Sequence, residues 1–410
     1  MSATVPVTGV ARSTVVAVVV ATTIAQVAST MGVAVFPVIA PKLAADLGIN
    51  PSLIGYQVSL IYGVAMLGSP FLNLMIPRWG ACRTTQVGLA FSAAGMLLGL
   101  VPNLAALTLA SIVLGLSLSV MTPSSAHLLF RFSPAKNRNL IFSLKQTGVP
   151  LAWVVMALIA PGITLAFGWR WSLVVVFAVA IGTLIAVQPV RAHWDDDRDP
   201  RGARVQNPFA GLAVVWRHPV LRWLVMSGLC LTFVQLSLGT FTVVMLVEEG
   251  GYSLVAAGFM LSLVQGAGVA GRILWGWVGD RTGDSLRVLI IMSAIAVGCC
   301  VLTAFISPAW PMPVLALLFI AFGATAVGWN GVYLAEVARR SPQGQVGAAA
   351  GGAVAWTFGG ILIGPAVFAT VYKGVGSYAH TYGLLTVIAV AALALLAAAA
   401  RAARREAAGA

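Results

Sequence analysis

The sequence predicts an all-α polytopic membrane protein with 12 transmembrane helices in two pseudo-symmetric six-helix bundles. Three observations carry this. The 410 residues are 60% hydrophobic and 9% charged, far from the roughly 25% charge of a soluble domain. Apolar stretches near the length a bilayer requires, about 20 residues, recur along the whole chain, and its two halves match one another in register. The 24 Lys and Arg against 11 Asp and Glu, a net charge of +13, form no basic, aromatic-interleaved patch, which excludes a nucleic-acid partner. They lie in short loops and orient the chain in the membrane.

Polar or Pro/Gly breaks separate the expected spans. The first, 13 to 38, follows the single Arg12 and outruns the roughly 7 to 15 apolar residues of a cleavable signal's core, so it is retained. Spans follow at 52 to 76, 83 to 101, 103 to 130, 139 to 166 and 169 to 190, then at 221 to 247, 253 to 279, 286 to 307, 311 to 338, 344 to 372 and 378 to 400. Between the sets lies a polar stretch with Pro200, Pro208 and the acidic Asp195, Asp196, Asp197 and Asp199. The expected organisation is therefore an N-terminal bundle, 1–190, a cytoplasmic linker, 191–220, and a C-terminal bundle with a short cytoplasmic tail, 221–410. Assigning alternate loops to opposite sides puts 19 Lys or Arg on one face, six of them arginines in or beside the linker, and only Lys42, Arg170 and Lys373 on the other. The positive-inside rule makes the first face cytoplasmic, with both termini. Lys145 and Arg272 are left inside spans.

With an offset of 203, Gly55, Ser59, Leu60, Gly63, Gly68, Arg78 and Gly80 recur as Gly258, Ser262, Leu263, Gly266, Gly271, Arg281 and Gly283. A slightly different offset pairs Thr23 and Gln26 with Thr232 and Gln235. Internal duplication characterises secondary transporters, whose substrate sites lie near the bilayer midplane. The segment Gly276-Trp277-Val278-Gly279-Asp280-Arg281-Thr282-Gly283 resembles the G-x-x-x-D-R-x-G loop of the major facilitator superfamily, in the position of its second copy. The first copy is degraded, with Asn73 and Pro77 at the glycine and aspartate positions and Arg78 and Gly80 kept. The resemblance covers the whole chain and implies the fold of that superfamily and a gating role for Gly276, Asp280, Arg281, Gly283, Arg78 and Gly80. Ser111 stands where many members carry an arginine in the fourth span, and Gly148-Val149-Pro150-Leu151-Ala152 departs from the antiporter pattern in the fifth. Lys145-Gln146-Thr147-Gly148 and Gly271-Arg272 resemble prokaryotic small-solute and organic-anion members.

Other motifs read as packing. Gly266-Ala267-Gly268-Val269-Ala270-Gly271 fits the dinucleotide fingerprint formally, but it lies within a span, where glycines bring helices together. No Gly-Lys dipeptide occurs, so a P-loop is absent. Cys82, Cys230, Cys299 and Cys300 lack metal-site spacing, as do His127, His193, His218 and His380, and no catalytic constellation emerges. Neither a metal nor a cofactor is expected, and the protein is not expected to be an enzyme.

The deep cations carry the functional reading. A charge at the bilayer centre costs about 2.5 to 3.5 kcal/mol on insertion scales and by default faces a cavity; the alternative is that the long stems of Lys145 and Arg272 snorkel to the headgroups. In the superfamily fold the fifth and eighth helices meet, so the two cations would face one another. A carboxylate about 4 Å away gains roughly 4 kcal/mol at an effective dielectric of 20, which makes an anionic substrate the economical explanation. Gln26, Thr30, Gln57, Tyr62, Thr232, Gln235, Trp329, Asn330 and Trp356 would complete the substrate-binding set; each alternatively joins helices. Glu336 is expected to pair with Arg339 or Arg340 at the membrane edge, the alternative being titration during transport, and His127 to bind protons or sit as an interfacial polar group.

The expected function is alternating-access transport of a small organic anion, a monocarboxylate or dicarboxylate, by proton symport or exchange, by a monomer in a bacterial inner membrane. Efflux of drugs or hydrophobic metabolites is the alternative, and a non-transporting receptor or assembly protein the alternative of another class. Reporter fusions after Ala192 and at the C-terminus should both read cytoplasmic; a periplasmic signal from either overturns the topology.

Overall fold

A computed structural model describes residues 11–72, 75–134, 138–199, 210–307, 309–343 and 345–409, and their regular structure is helical throughout. The chain forms two compact units: Met1–Leu47 with Leu60–Gln206, and Gly48–Ser59 with Asn207–Ala410. Among the described residues, 11 helical segments are long and apolar enough to cross a membrane.

The first unit contains α1 (Arg12–Leu47), most of α2 (Ile54–Leu72), α3 (Met75–Trp79), α4 (Ala81–Gly99), α5 (Leu104–Phe132), α6 (Arg138–Gln146), α7 (Gly148–Phe167), α8 (Trp169–Ala186) and α9 (Arg191–Trp194). The first helix runs nine residues past the expected end at 38. Pro37 and Pro41 do not stop it because the whole run from Val33 to Pro41 is buried, and neighbouring helices make such prolines tolerable. The third expected span, α4, is the one that falls short of membrane apolarity. Its polar groups are satisfied inside the bundle: Thr84 and Thr85 donate to the carbonyls of Gly80 and Ala81, and Gln86 Nε2 to the Leu184 carbonyl and Gln188 Oε1. The fifth expected span carries one irregular residue, Thr147, between α6 and α7, within a single membrane-length segment, Leu144–Phe167. Thr147 keeps right-handed helical backbone angles, Pro150 has no N–H to offer the carbonyl four residues back, and Thr147 Oγ1 donates to the Leu144 carbonyl at 2.6 Å.

The acidic run after α9 is docked on this unit. Asp195 accepts from the backbone N–H groups of Cys82 (2.7 Å) and Arg83 (2.9 Å) at the start of α4, where a carboxylate also meets the positive end of the helix dipole. Arg131, buried on α5, pairs with Asp196 and, at 3.1 Å, with Asp197, and donates to the Trp194 carbonyl at 3.0 Å. His127 Nε2 lies 2.8 Å from Asp197 Oδ2, and the Asp199 N–H reaches the Pro77 carbonyl at 2.8 Å. Asn73, Lys136, Pro200, Arg201, Arg204 and Pro208 lie outside the described residues.

The second unit contains α10 (Ala210–Arg217), α11 (Pro219–Glu248), α12 (Leu254–Thr282), α13 (Ser285–Thr303), α14 (Met312–Ala326), α15 (Asn330–Arg340), α16 (Val346–Val375) and α17 (Tyr378–Gly409). The start of α2 belongs to it: Ser59 Oγ accepts from the Ala366 N–H at 3.0 Å, and the Tyr56 hydroxyl meets Thr370 Oγ1 at 2.8 Å. A Cβ on Gly271 would come within 2.3 Å of the Ala324 carbonyl, and one on Gly323 within 2.1 Å of that of Val264. The glycine run of α12 is thus a contact face for α14, as the packing reading holds. The tenth expected span is broken at 327–329, between α14 and α15.

Each unit ties the end of its first long helix to the start of its last. Asp46 Oδ2 accepts from Trp169 Nε1 at 2.9 Å at the first residue of α8. Glu249 accepts from the N–H groups of Tyr378 and Ala379 (2.9 Å for the latter) and from Ser377 Oγ at 3.2 Å at the start of α17. The two carboxylates are 203 positions apart, the offset of the duplication.

Burial raises the Asp195 carboxyl above its ordinary value against its two backbone bonds. Burial also acts to raise Asp197, but the hydrogen bond and charge of His127 and the charge of Arg131 outweigh it and hold the carboxyl below its ordinary value. A carboxylate with a depressed folded pKa stabilises at pH above its unfolded value and loses that contribution as the pH falls through the folded one; for Asp195 the sign is reversed. Asp197→Asn should therefore lower the melting temperature at pH 7, the gap to wild type narrowing as the pH falls toward the carboxylate range. Asp195→Asn should lose less at pH 7. Thermal melts in detergent across pH 4 to 8 check both.

Candidate functional site

The irregularities in the fifth and tenth spans place most of the expected polar residues. Lys145, at the C-terminal end of α6, is 3% exposed. Its ammonium donates to Gln26 Oε1 at 2.8 Å and to Gln146 Oε1 at 3.4 Å, and Gln26 Nε2 donates to Thr30 Oγ1 at 3.1 Å. Because an ammonium only donates, this chain of bonds fixes which end of the Gln26 amide faces it. Lys145 is held by neutral oxygens, and among the described residues no carboxylate forms an ion pair with it. Tyr62, on α2, is half-buried in the same unit.

In the second unit the break at 327–329 is held from two helices. Gln235 Oε1 on α11 accepts from Trp329 Nε1 at 2.9 Å and Asn330 Nδ2 at 3.2 Å. On α12, Trp275 Nε1 donates to the Ala324 carbonyl at 3.1 Å and Arg272 Nε to the Val327 carbonyl at 3.4 Å. The Ala324 carbonyl is in the last turn of α14 and that of Val327 is at its C-cap, a helix end whose partial negative charge favours a cation. The residue 203 positions before Arg272, Ser69, likewise donates to a backbone carbonyl, that of Ser119 on α5 at 3.0 Å. The bond to the neighbouring helix is therefore common to both repeats and needs only a hydroxyl.

The structure brings Gln26, Thr30 and Lys145 together in one unit, and Gln235, Trp329 and Asn330, with Arg272 at the same break, in the other. Thr232 spends its hydroxyl on the Gly228 carbonyl of its own helix at 2.6 Å. Trp356 stacks on Trp216 of α10 with centroids 5.5 Å apart. Gln57 lies with the second unit, and its buried Nε2 has no hydrogen-bond partner among the described residues. Glu336 is 0% exposed and pairs with both Arg339 and, at 3.0 Å, Arg340, as the sequence leads one to expect. Nothing in the sequence distinguishes Trp275 and Trp216 from membrane-interface tryptophans, and only the folded chain reveals their contacts.

Of the loop residues, Asp280 and Arg78 are exposed, Arg281 lies over the Trp277 ring at 5.2 Å, and a Cβ on Gly276 would meet open space. Gly283 ends α12 in the left-handed region, and its carbonyl accepts from Arg339 Nη1 at 2.7 Å. Gly80 opens α4 beneath the Asp195 carboxylate.

The family model for the Major Facilitator Superfamily matches residues 22–365. The chain belongs to that superfamily. Its fold is shared by a peptide transporter POT crystallised with sulfate, at a TM-score of 0.77 and 15% identity over 98% of each chain. Among relatives in sequence, a probable galactarate/D-glucarate transporter of Bacillus subtilis is 23% identical over 85% of this chain and 83% of its own. A 4-hydroxybenzoate transporter of Acinetobacter baylyi is 24% identical over 70% of each. An uncharacterized MFS-type transporter of Mycobacterium tuberculosis is 27% identical over 50% of this chain, which spans only 44% of that relative's length. The superfamily is one of transporters, not of enzymes.

The two loop glycines should respond differently to substitution. Gly80 has φ 93° and ψ 155°, and a Cβ there would lie 2.1 Å from Asp195 Cγ; Gly80→Ala should cost about 3 kcal/mol or more through strain and the lost cap. Gly283 has φ 65° with open space around it, so Gly283→Ala should cost about 1 kcal/mol. Melting of the purified variants checks the order.

Proposed function

We propose that this protein is a secondary active transporter that moves a small organic anion, a monocarboxylate or dicarboxylate, by alternating access with proton symport or exchange. The observation that carries the reading is the Lys145 ammonium, buried and bonded to amide oxygens with no carboxylate paired to it among the described residues. An uncompensated buried cation is costly, and a substrate carboxylate is the partner that would offset the cost. Arg272 is assigned the same role, because its fork can hold a carboxylate through two parallel bonds where an ammonium offers a point charge. Relatives named for galactarate/D-glucarate and 4-hydroxybenzoate transport support an organic acid as the cargo. The 19-to-3 cation asymmetry supports cytoplasmic termini in a bacterial inner membrane, and the monomer is the unit proposed.

Uptake of labelled 4-hydroxybenzoate and glucarate into proteoliposomes, with and without a pH gradient, tests the proposal. Lys145→Ala and Arg272→Ala should each lower uptake of the transported acid by about tenfold or more, the scale of a lost charged hydrogen bond. Arg272→Lys should restore it only partly. Unchanged uptake of the transported acid in the Lys145→Ala, Arg272→Ala double variant would remove the organic-anion assignment.

A further inference from the structure

Gln26 stands where an acid would complete an ion pair. Its Oε1 is 2.8 Å from the Lys145 ammonium, and its Nε2 is engaged by Thr30; a glutamate has nearly the same shape and would present a full negative charge at that distance. The second contact of the ammonium, Gln146 Oε1 at 3.4 Å, is also an amide. The same helix position in the second repeat is again glutamine, Gln235, and its Oε1 also accepts from the broken span of its unit, but there the donors are the neutral Trp329 and Asn330. The amide is thus common to the two repeats, while a buried cation facing it occurs only in the first. Where the donors are neutral, an amide oxygen satisfies them fully. Where the donor is an ammonium, it satisfies the hydrogen bond and leaves the charge, since dipoles orient a cation without neutralising it.

We infer that Gln26 is a specificity-determining residue: it positions the Lys145 ammonium and, by remaining uncharged, reserves that charge for one carboxylate group of the substrate. The inference rests on the organic-anion reading above. It differs from the view that Gln26 merely joins α1 to α6, because a glutamate at 26 would join those helices at least as well. Substitution by the isostere therefore separates the two roles.

The test compares wild type, Gln26→Glu and Lys145→Gln in proteoliposomes with labelled 4-hydroxybenzoate and glucarate, and by melting in detergent with and without the same acids. Gln26→Glu should raise KM for the transported acid by about tenfold or more, the scale of a lost charged hydrogen bond. It should also melt higher than wild type without ligand, because the buried charge is now paired, and should lose the upward shift that the acid gives wild type. Gln26→Glu with wild-type KM and a wild-type ligand shift would overturn the inference, as would an unliganded melting temperature equal to or below that of wild type. The latter comparison decides even if neither acid proves to be cargo. Wild-type transport in Lys145→Gln would instead remove the anion reading itself, whereas loss in Lys145→Gln beside unchanged Gln26→Glu would remove only the role of Gln26.

Discussion

Inside a bilayer the protein alone can answer its own hydrogen-bonding groups, and each irregularity of this fold occurs where a side chain does so. The fifth span is irregular at Thr147, whose hydroxyl donates to the Leu144 carbonyl. The tenth breaks where Trp275 reaches the last turn of α14 and Arg272 its C-cap residue, Val327. The N–H groups at the starts of α4 and α17, from which no helical carbonyl can accept, meet Asp195 and Glu249. Hydrogen bonding can be satisfied by any dipole of suitable geometry, but charge cannot, and at Lys145 the two requirements come apart. That separation gives the site its chemical character.

The parts of the fold written in composition and spacing are legible in the chain alone. Twelve apolar runs, the duplication at an offset of 203 and the loop from Gly276 to Gly283 lead to the architecture and superfamily, because lipid forces spans to be long and apolar. The ends of α1 and the irregularities in the fifth and tenth spans are not legible in this way. Pro37 and Pro41 look like stops in isolation, and burial overrides them; Thr147 and Gly328 look like ordinary helix residues. The docking of Asp195 joins residues 113 positions apart, a pairing that no local pattern records. Lys145 and Arg272 stand out as charges in apolar runs, but their bonds to Gln26 and the Val327 carbonyl need the folded chain.

Comparison of the repeats separates inherited architecture from what each half has acquired. The glutamine pair, Gln26 and Gln235, and the donors Ser69 and Arg272 to a neighbouring helix's carbonyl preserve one hydrogen-bonding plan. The halves differ in charge, with an ammonium facing the glutamine in one and a guanidinium at the helix end in the other. The degraded first loop follows the same pattern of divergence: Pro77 stands where an aspartate is expected, and the acids after α9 gather around that corner instead, with Asp195 seated over Gly80.

The bonds of Asp46 to Trp169 and of Glu249 to the start of α17 each close a circuit within one unit. Under the alternating access proposed here, large parts move and need joints that hold while they travel. With the first and last long helices of a half fastened to one another, the work of changing state would be separated from the work of unfolding, and substitutions would tune the motion of a half without loosening its frame.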